Sequence, residues 1–210
     1  MPARLTAIPF KREVLASSRD RIRDAAKVLF AERGYESTAT ADICRLAGTS
    51  QSQLIKHFSN KQGLLEAIFE YAWEQINPAI NLAIETASSP REKLNILIGM
   101  ILAFMEKEKE IRVLFLLEGR RIRGGGQMVV LVPGFLAFVK TLDGILKELA
   151  AKGELRSDLH PQAFRSALMG ALEGILRDQM LARTAHFPAT YSDKEARATF
   201  AAFLSACLIK

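Results

Sequence analysis

Apolar positions recur at three- and four-residue intervals along most of the chain. Ile22, Ala25, Ala26, Leu29 and Phe30 fall at i, i+3, i+4, i+7 and i+8, which is one buried stripe of a helix. Ser17 and Ser18 precede it as caps, Asp20 suits the positive end of its dipole, and Gly34 stops it. A second, short pattern starts near Ala39, turns Ile43, Leu46 and Ala47 inward, and ends at Gly48. A third runs from Gln51 to His57 behind Ser50, with Leu54 and Phe58 as its inner residues. Ser59 and Gln62 have the spacing of a capping box for a long fourth helix. Its stripe is Leu65, Ile68, Phe69, Ala72 and Ile76, and Pro78 is expected to kink or break it near Asn77.

Past Thr86 the punctuation changes. Ser88-Ser89-Pro90 opens a helix with proline at its first position, and the periodicity predicts helices at about 90–107, 109–121, 134–152, 161–184 and 192–209. Gly124-Gly125-Gly126 reads as a flexible break, and Met128–Leu131 is the one short β-like run. The fold class expected is therefore all-α. Residues 1–66 form a loose arm (residues 1–16) and a three-helix unit, and residues 67–210 form a larger helical domain.

Composition narrows the function classes. The 210 residues are 49% hydrophobic and 25% charged, which is globular composition. Net charge is +6, and residues 1–66 carry 11 basic against 7 acidic side chains, so the first third is the more basic part. Such a balance is compatible with a polyanionic partner. Two cysteines, Cys44 and Cys207, make no disulfide framework and fit a reducing cytosol. Residues 1–15 lack the apolar core of a secretory signal, and the apolar runs Leu94–Met105 and Met128–Val139 are too short to span a bilayer, so a cytoplasmic protein without a membrane partner is expected. Enzymatic readings find no support. His57, His160 and His186 stand at no metal-ligand spacing, the glycine triplet is not followed by Gly-Lys-Ser/Thr, and no Gly-x-Ser-x-Gly occurs. No catalytic residue, metal or cofactor is expected.

Three short helices separated by Gly34 and Gly48 make a helix-turn-helix candidate. In such a unit the third helix must present a polar face to a major groove about 12 Å wide. Here that helix turns Gln51, Ser52, Gln53, Lys56 and His57 outward. Glutamine can pair bidentately with adenine and serine can meet several base edges. Lys56 and Lys61 can reach phosphates, and the helix starts at Thr40, Ser50 and Lys61 can aim backbone N–H groups at anions.

The residues Arg21-Ile22, Ala25-Ala26, Leu29-Phe30, Gly34-Tyr35, Thr38, Ile43, Ala47-Gly48, Ser50, Leu54, His57-Phe58 and Lys61 closely resemble the N-terminal signature of the TetR (tetracycline-repressor-like) family, over about residues 19–68. The resemblance implies an all-helical homodimer that binds a double-stranded DNA operator and is often released by a small effector. It further implies that Thr40, Ser50, Lys56, His57 and Lys61 meet the DNA backbone, while Gln51, Ser52 and Gln53 face bases. The chain departs from the pattern at Ile55, where the family usually has an aromatic whose hydroxyl meets a phosphate, at Ser52, often Gly, and at Cys44, commonly Ala.

In the second domain, Ala167, Gly170 and Gly174 on one helix and Phe200, Phe203 and Leu204 on the last are candidates for a four-helix dimer interface, against the alternative that they are intrachain core. Met100, Phe104, Phe115, Phe135, Phe138 and Met169, with Glu173, are candidates for a mostly apolar effector pocket, again against a reading as plain core. Glu118 and Glu173 interrupt apolar runs and fit a cationic ligand, a buried arginine or solvent equally well. The function expected is a dimeric, sequence-specific transcriptional regulator acting as a repressor released by a small, mostly apolar effector. The alternative is a helical ligand- or protein-binding module with weak or lost DNA binding, for which Ile55 is the best argument.

Overall fold

The computed structural model describes residues 17–119, 121 and 131–209. The N-terminal arm with Arg4, Lys11 and Arg12, the glycine triplet and most of the β-like run at 128–131 lie outside these residues. The described residues form nine helices: α1 (Ser18–Arg33), α2 (Thr40–Leu46), α3 (Gln51–Phe58), α4 (Lys61–Glu85), α5 (Pro90–Lys107), α6 (Lys109–Glu118), α7 (Pro133–Ala151), α8 (Pro161–Thr184) and α9 (Asp193–Cys207). Among them there is no strand, only a single antiparallel bridge between Leu155 and Leu208.

Local chemistry accounts for most helix ends. The Ser17 hydroxyl accepts from the Asp20 N–H at 3.1 Å, and the Ser89 hydroxyl accepts from the Glu92 N–H at 3.2 Å behind Pro90. Ser192 and Glu195 form a reciprocal capping box. Gly34 (φ +82°) and Gly48 (φ +60°) take backbone conformations that side chains disfavour, so the turns between α1, α2 and α3 require them. Two sequence expectations fail here. The fourth helix is capped by Asn60, whose side chain accepts from the Gly63 N–H at 2.9 Å, and not by a Ser59–Gln62 box. Ser59 instead closes α3 with φ +64°, and Gln62 donates to Glu66 at 2.9 Å.

Pro78 does not break α4, which runs on to Glu85. A mid-helix proline removes one hydrogen bond and crowds the preceding turn, a cost of about 3 kcal/mol. Pro78 and Glu74, whose carbonyl loses its partner, are both on the exposed face, open to solvent. On the opposite face Ile76 and Ile80 are buried and hold the helix on course. Leu46, expected to face inward, is 58% exposed, because α2 has only two turns and buries Ile43 and Cys44 instead.

One core runs through the molecule. Ile22, Ala26 and Phe30 of α1, Ile43 of α2 and Leu54 and Phe58 of α3 close on Leu64, Leu65 and Ile68 of α4. The later part of α4 packs on α5 and α7 through Ala72, Trp73, Ile76 and Ile80. The start of α7 has no cap of its own, since Val132 lacks a suitable side chain. α4 supplies one: Glu70 accepts from the Gly134 N–H at 2.8 Å, and Asn77 donates to the Gly134 carbonyl at 2.8 Å. Gly134 permits this approach, as a Cβ there would sit 2.4 Å from the Trp73 Cβ.

Two outcomes follow from this packing. Gly134→Ala should lower stability by about 1–3 kcal/mol through overpacking against Trp73, read as a lower urea midpoint; an unchanged midpoint would show that α7 can shift at no cost. Cys44 is buried and desolvation pushes its thiol pKa up, whereas Cys207 is half-exposed. A thiol reagent at pH 8 should therefore label Cys207 first and Cys44 only as the protein opens; equal labelling rates would refute that ordering.

Candidate nucleic-acid interface and effector chamber

Burial of Leu54 and Phe58 fixes which way α3 faces. Gln51, Ser52, Ile55 and Lys56 are exposed, and positions three or four apart on a helix share a face, so these four form one outward surface. Ser50 caps the helix, accepting from the Gln53 N–H at 3.4 Å, and its hydroxyl lies 2.8 Å from that of Ser52. Gln53 is half-buried, so it sits at the edge of the outward face and not at its centre. Ile55, 59% exposed, stands beside the polar residues. This exposed isoleucine is the feature that sequence patterning treats only as a missing phosphate contact.

The remaining expected contacts are tied into the protein to different degrees. Thr40 begins α2, whose N-cap Ala39 supplies no side-chain acceptor, while the Asp42 N–H of that turn donates to the Ala39 carbonyl at 3.1 Å. His57 is half-buried and its Nε2 lies 3.0 Å from the Ser18 hydroxyl, joining the end of α3 to the start of α1. Lys61 donates from Nζ to the Glu36 carbonyl at 3.2 Å and lies 4.4 Å over the Tyr35 ring. Its ammonium is thus partly engaged in holding the α1–α2 connection to α4. Arg21, outside the expected set, donates from Nε to the Ala47 carbonyl at 3.1 Å and so braces the end of α2 against α1.

The expected effector residues divide between two places. Phe115, Phe135, Phe138, Met169 and Glu173 surround an apolar chamber of about 50 Å³, together with Trp73, Ile101, Met105, Leu172 and Leu176. Trp73 stacks on Phe138 at 4.9 Å between centroids and tilts against Phe135 at 5.6 Å. Met100 and Phe104 do not reach this chamber. They line a separate, open cleft of about 610 Å³ between α1, α4 and α5, because they stand on the other face of α5 from Ile101 and Met105. Sequence reasoning missed Trp73, Ile101, Met105, Leu172 and Leu176 of the chamber; Trp73 lies outside the fourth-helix stripe as read from spacing. Glu173 is buried and its carboxylate pairs with Arg177 one turn on, and Glu118 is buried with Arg121 at 3.7 Å. Neither acid meets a buried arginine: the side chains of Arg177 and Arg121 are themselves open to solvent, so each carboxylate is held inside the fold against an arginine at the surface.

The expected interface residues also divide. Phe200 and Leu204 are buried in the chain's own core, Gly170 and Gly174 are half-buried, and Ala167 and Phe203 are exposed. The reading unit is joined to the rest by more than α4. α1 packs against α6, Lys27 lies 3.6 Å from Glu108, and Arg121 lies 3.0 Å from Glu36. No helix among the described residues is long and apolar enough to cross a membrane.

Comparison with known proteins agrees with this architecture. Residues 22–68 match the family of bacterial regulatory proteins described as the tetR family, and residues 69–189 match the C-terminal region of YsiA-like protein. The chain is 25% identical over 154 residues to the fatty acid metabolism regulator protein of Bacillus subtilis, covering 72% of this chain and 78% of that protein. It is 28% identical over 144 residues to the HTH-type transcriptional repressor KstR2 of Mycolicibacterium smegmatis, covering 69% of this chain and 70% of that one. The fold superposes on the transcriptional regulator FadR from Bacillus subtilis, solved in complex with stearoyl-CoA, with a TM-score of 0.74 at 21% identity over 90% of this chain and 97% of that one. The N-terminal signature, the all-helical fold with α3 presented outward, and the two family matches from residue 22 to residue 189 together place this chain in the TetR family of DNA-binding transcriptional regulators.

Proposed function

We propose that two copies of this chain bind one operator through their α3 helices as a repressor, and that an effector with a long apolar part releases them. The chain divides near residue 66 into a reading unit and an effector and dimerisation unit. The observation that carries this reading is the placement of Trp73: it walls the apolar chamber and stands on α4, the helix whose first turns pack against α1 and α3. The chamber, at about 50 Å³, is nearly filled by its own side chains. An effector must therefore prefer a conformation in which they part, and Met105 and Met169 are flexible enough to allow it. Moving Trp73 moves α4, and with it the spacing of the two reading helices. The effector shifts the DNA-binding equilibrium by no more than its difference in affinity for the two conformations. A relative that regulates fatty acid metabolism and a similarly folded FadR with bound stearoyl-CoA support an effector with a long acyl chain. Exposed Ala167 and Phe203 on α8 and α9, beside half-buried Gly170 and Gly174, support a partner copy on that side.

On α3, Gln51 and Ser52 read base edges, and Ile55 meets an apolar group there, the 5-methyl of thymine being the one the major groove offers. Lys56, His57, Ser50, Thr40 and Lys61 hold the backbone. Anisotropy of the protein on the DNA upstream of its own gene, with and without a long-chain acyl-CoA, tests the whole reading. Tight binding that survives competitor DNA and falls on adding acyl-CoA is expected; binding lost to competitor at physiological salt would favour a module that no longer reads sequence.

Single changes test the parts. Lys56→Ala should weaken binding to all sequences and reduce the logarithmic salt slope by about 0.9 without lowering thermal stability, since Lys56 is exposed. Lys61→Ala should lower both, because it also loses the Glu36 and Tyr35 contacts. A salt slope unchanged in either variant removes that lysine from the phosphate contacts. Replacing operator thymidines one at a time by deoxyuridine should cost about 1 kcal/mol at one or two positions per half-site, and Ile55→Ala should abolish that cost. A penalty that persists in Ile55→Ala would assign the methyl contact to another residue.

A further inference from the structure

Beside the aromatic chamber, and separated from it by Leu172 and Leu176, lies a second cavity of about 190 Å³ between α5, α6, α8 and α9. Both leucines line both spaces, so the two are neighbours through one pair of movable aliphatic side chains. The charge of the second cavity is unlike that of the first. Lys109, Arg112, Arg183 and Arg197 line it, against Glu106 and Asp193. Arg183 lies 3.3 Å from Asp193, and Arg197 pairs with Glu106, so both acids are already engaged. Lys109 and Arg112 have no ion pair among the described residues. The Nε of Arg112 is shut off from solvent without any hydrogen-bond partner among them, a state that costs about 1–3 kcal/mol unless something anionic or polar meets it. The chamber wall offers no cation: its one ionisable side chain is the carboxylate of Glu173, which pairs with Arg177.

We infer that the cavity at Arg112 and Lys109 receives the anionic head of an amphipathic effector whose apolar tail passes between Leu172 and Leu176 into the Trp73 chamber. This rests on the effector reading above and adds its polarity and its head-group site. Arg112 offers a planar donor set suited to carboxylate or phosphate oxygens, and Lys109 adds a second charge. The chamber lining is apolar apart from Glu173, which is already paired with Arg177, so it offers an anionic head no cation and the ligand enters tail first. The head is either the carboxylate of a free acid or the phosphates of an acyl-CoA, which share this chemistry.

Trp73 is the sole tryptophan of the chain, so its emission reports occupation of the chamber without any DNA. The full chain is titrated with lauric acid, lauroyl-CoA and methyl laurate, which differ only in the head. Binding of either anionic ligand at least ten-fold tighter than the ester is expected. Arg112→Gln should reduce that preference to under three-fold, with the ester's affinity changing less than two-fold; Lys109→Gln should reduce it in part. A larger loss for lauroyl-CoA identifies phosphate as the head, and a larger loss for lauric acid identifies carboxylate. Equal affinity of ester and anions for the wild-type chain, or an equal loss of all three in Arg112→Gln, overturns the head-group site and leaves the apolar chamber standing. No change of Trp73 emission with any of the three ligands overturns the chamber and the head-group site together.

Discussion

The close passage of α7 over α4 at Gly134 is the constraint on which the arrangement depends. Without a Cβ at that position, the first turn of α7 comes down on Trp73 and takes its cap from Glu70 and Asn77 of α4. This locks the start of α7 to the middle of α4. It also brings Phe135 and Phe138 against Trp73, which makes the chamber aromatic. The N-terminal helices and the rest of the chain meet through α4, a continuous 25-residue rod that Pro78 does not interrupt, through the α1–α6 contact and through the Arg121–Glu36 pair.

On the proposed function, that geometry is the route by which a small apolar chamber acts on a surface some distance away. Packed interiors resist gradual deformation and switch between discrete packings. A chamber filled by its own side chains has no room for a ligand in this conformation, so in the proposed mechanism occupation and rearrangement are linked. The reading unit is rigid in itself: Thr38 donates to the Leu29 and Gly34 carbonyls, Arg21 to the Ala47 carbonyl, and Lys61 to the Glu36 carbonyl. In the proposed mechanism such a unit moves as one body, and its orientation, not its internal shape, is what α4 alters.

Much of the N-terminal unit was legible because its signature is chiefly its core. Ile22, Ala25, Ala26, Leu29, Phe30, Tyr35, Ile43, Ala47, Leu54 and Phe58 are all buried, so family pattern and helical periodicity select the same positions. The outward face of α3 follows as the complement of Leu54 and Phe58. Errors came where a local rule met a competing contact. Asn60 caps α4 in place of Ser59 because Ser59 is taken up in closing α3 at φ +64°, which leaves Asn60 as the residue whose side chain meets the Gly63 N–H. Pro78 was overridden by burial of Ile76 and Ile80 on the opposite face. Leu46 stayed outside because a two-turn helix has too little inner face to bury every apolar residue it carries.

The chemical site in the second domain was legible in composition but not in membership. Spacing alone determined that the chain is all-helical, where most of its helices start and stop within a turn or so (the end of α4, eight residues past Asn77, excepted), and which face of α3 is polar, since these depend on residues a few positions apart. Only tertiary packing decided that Met100 and Phe104 leave the group that Phe115, Phe135, Phe138, Met169 and Glu173 form, that Trp73 joins it, that Glu70 caps a helix 64 residues away, and that Phe200 and Leu204 belong to the chain's own core. A stripe of apolar residues says that a helix face is covered. What covers it is set by crossing angles and close approaches such as that at Gly134, which arise between segments far apart along the chain.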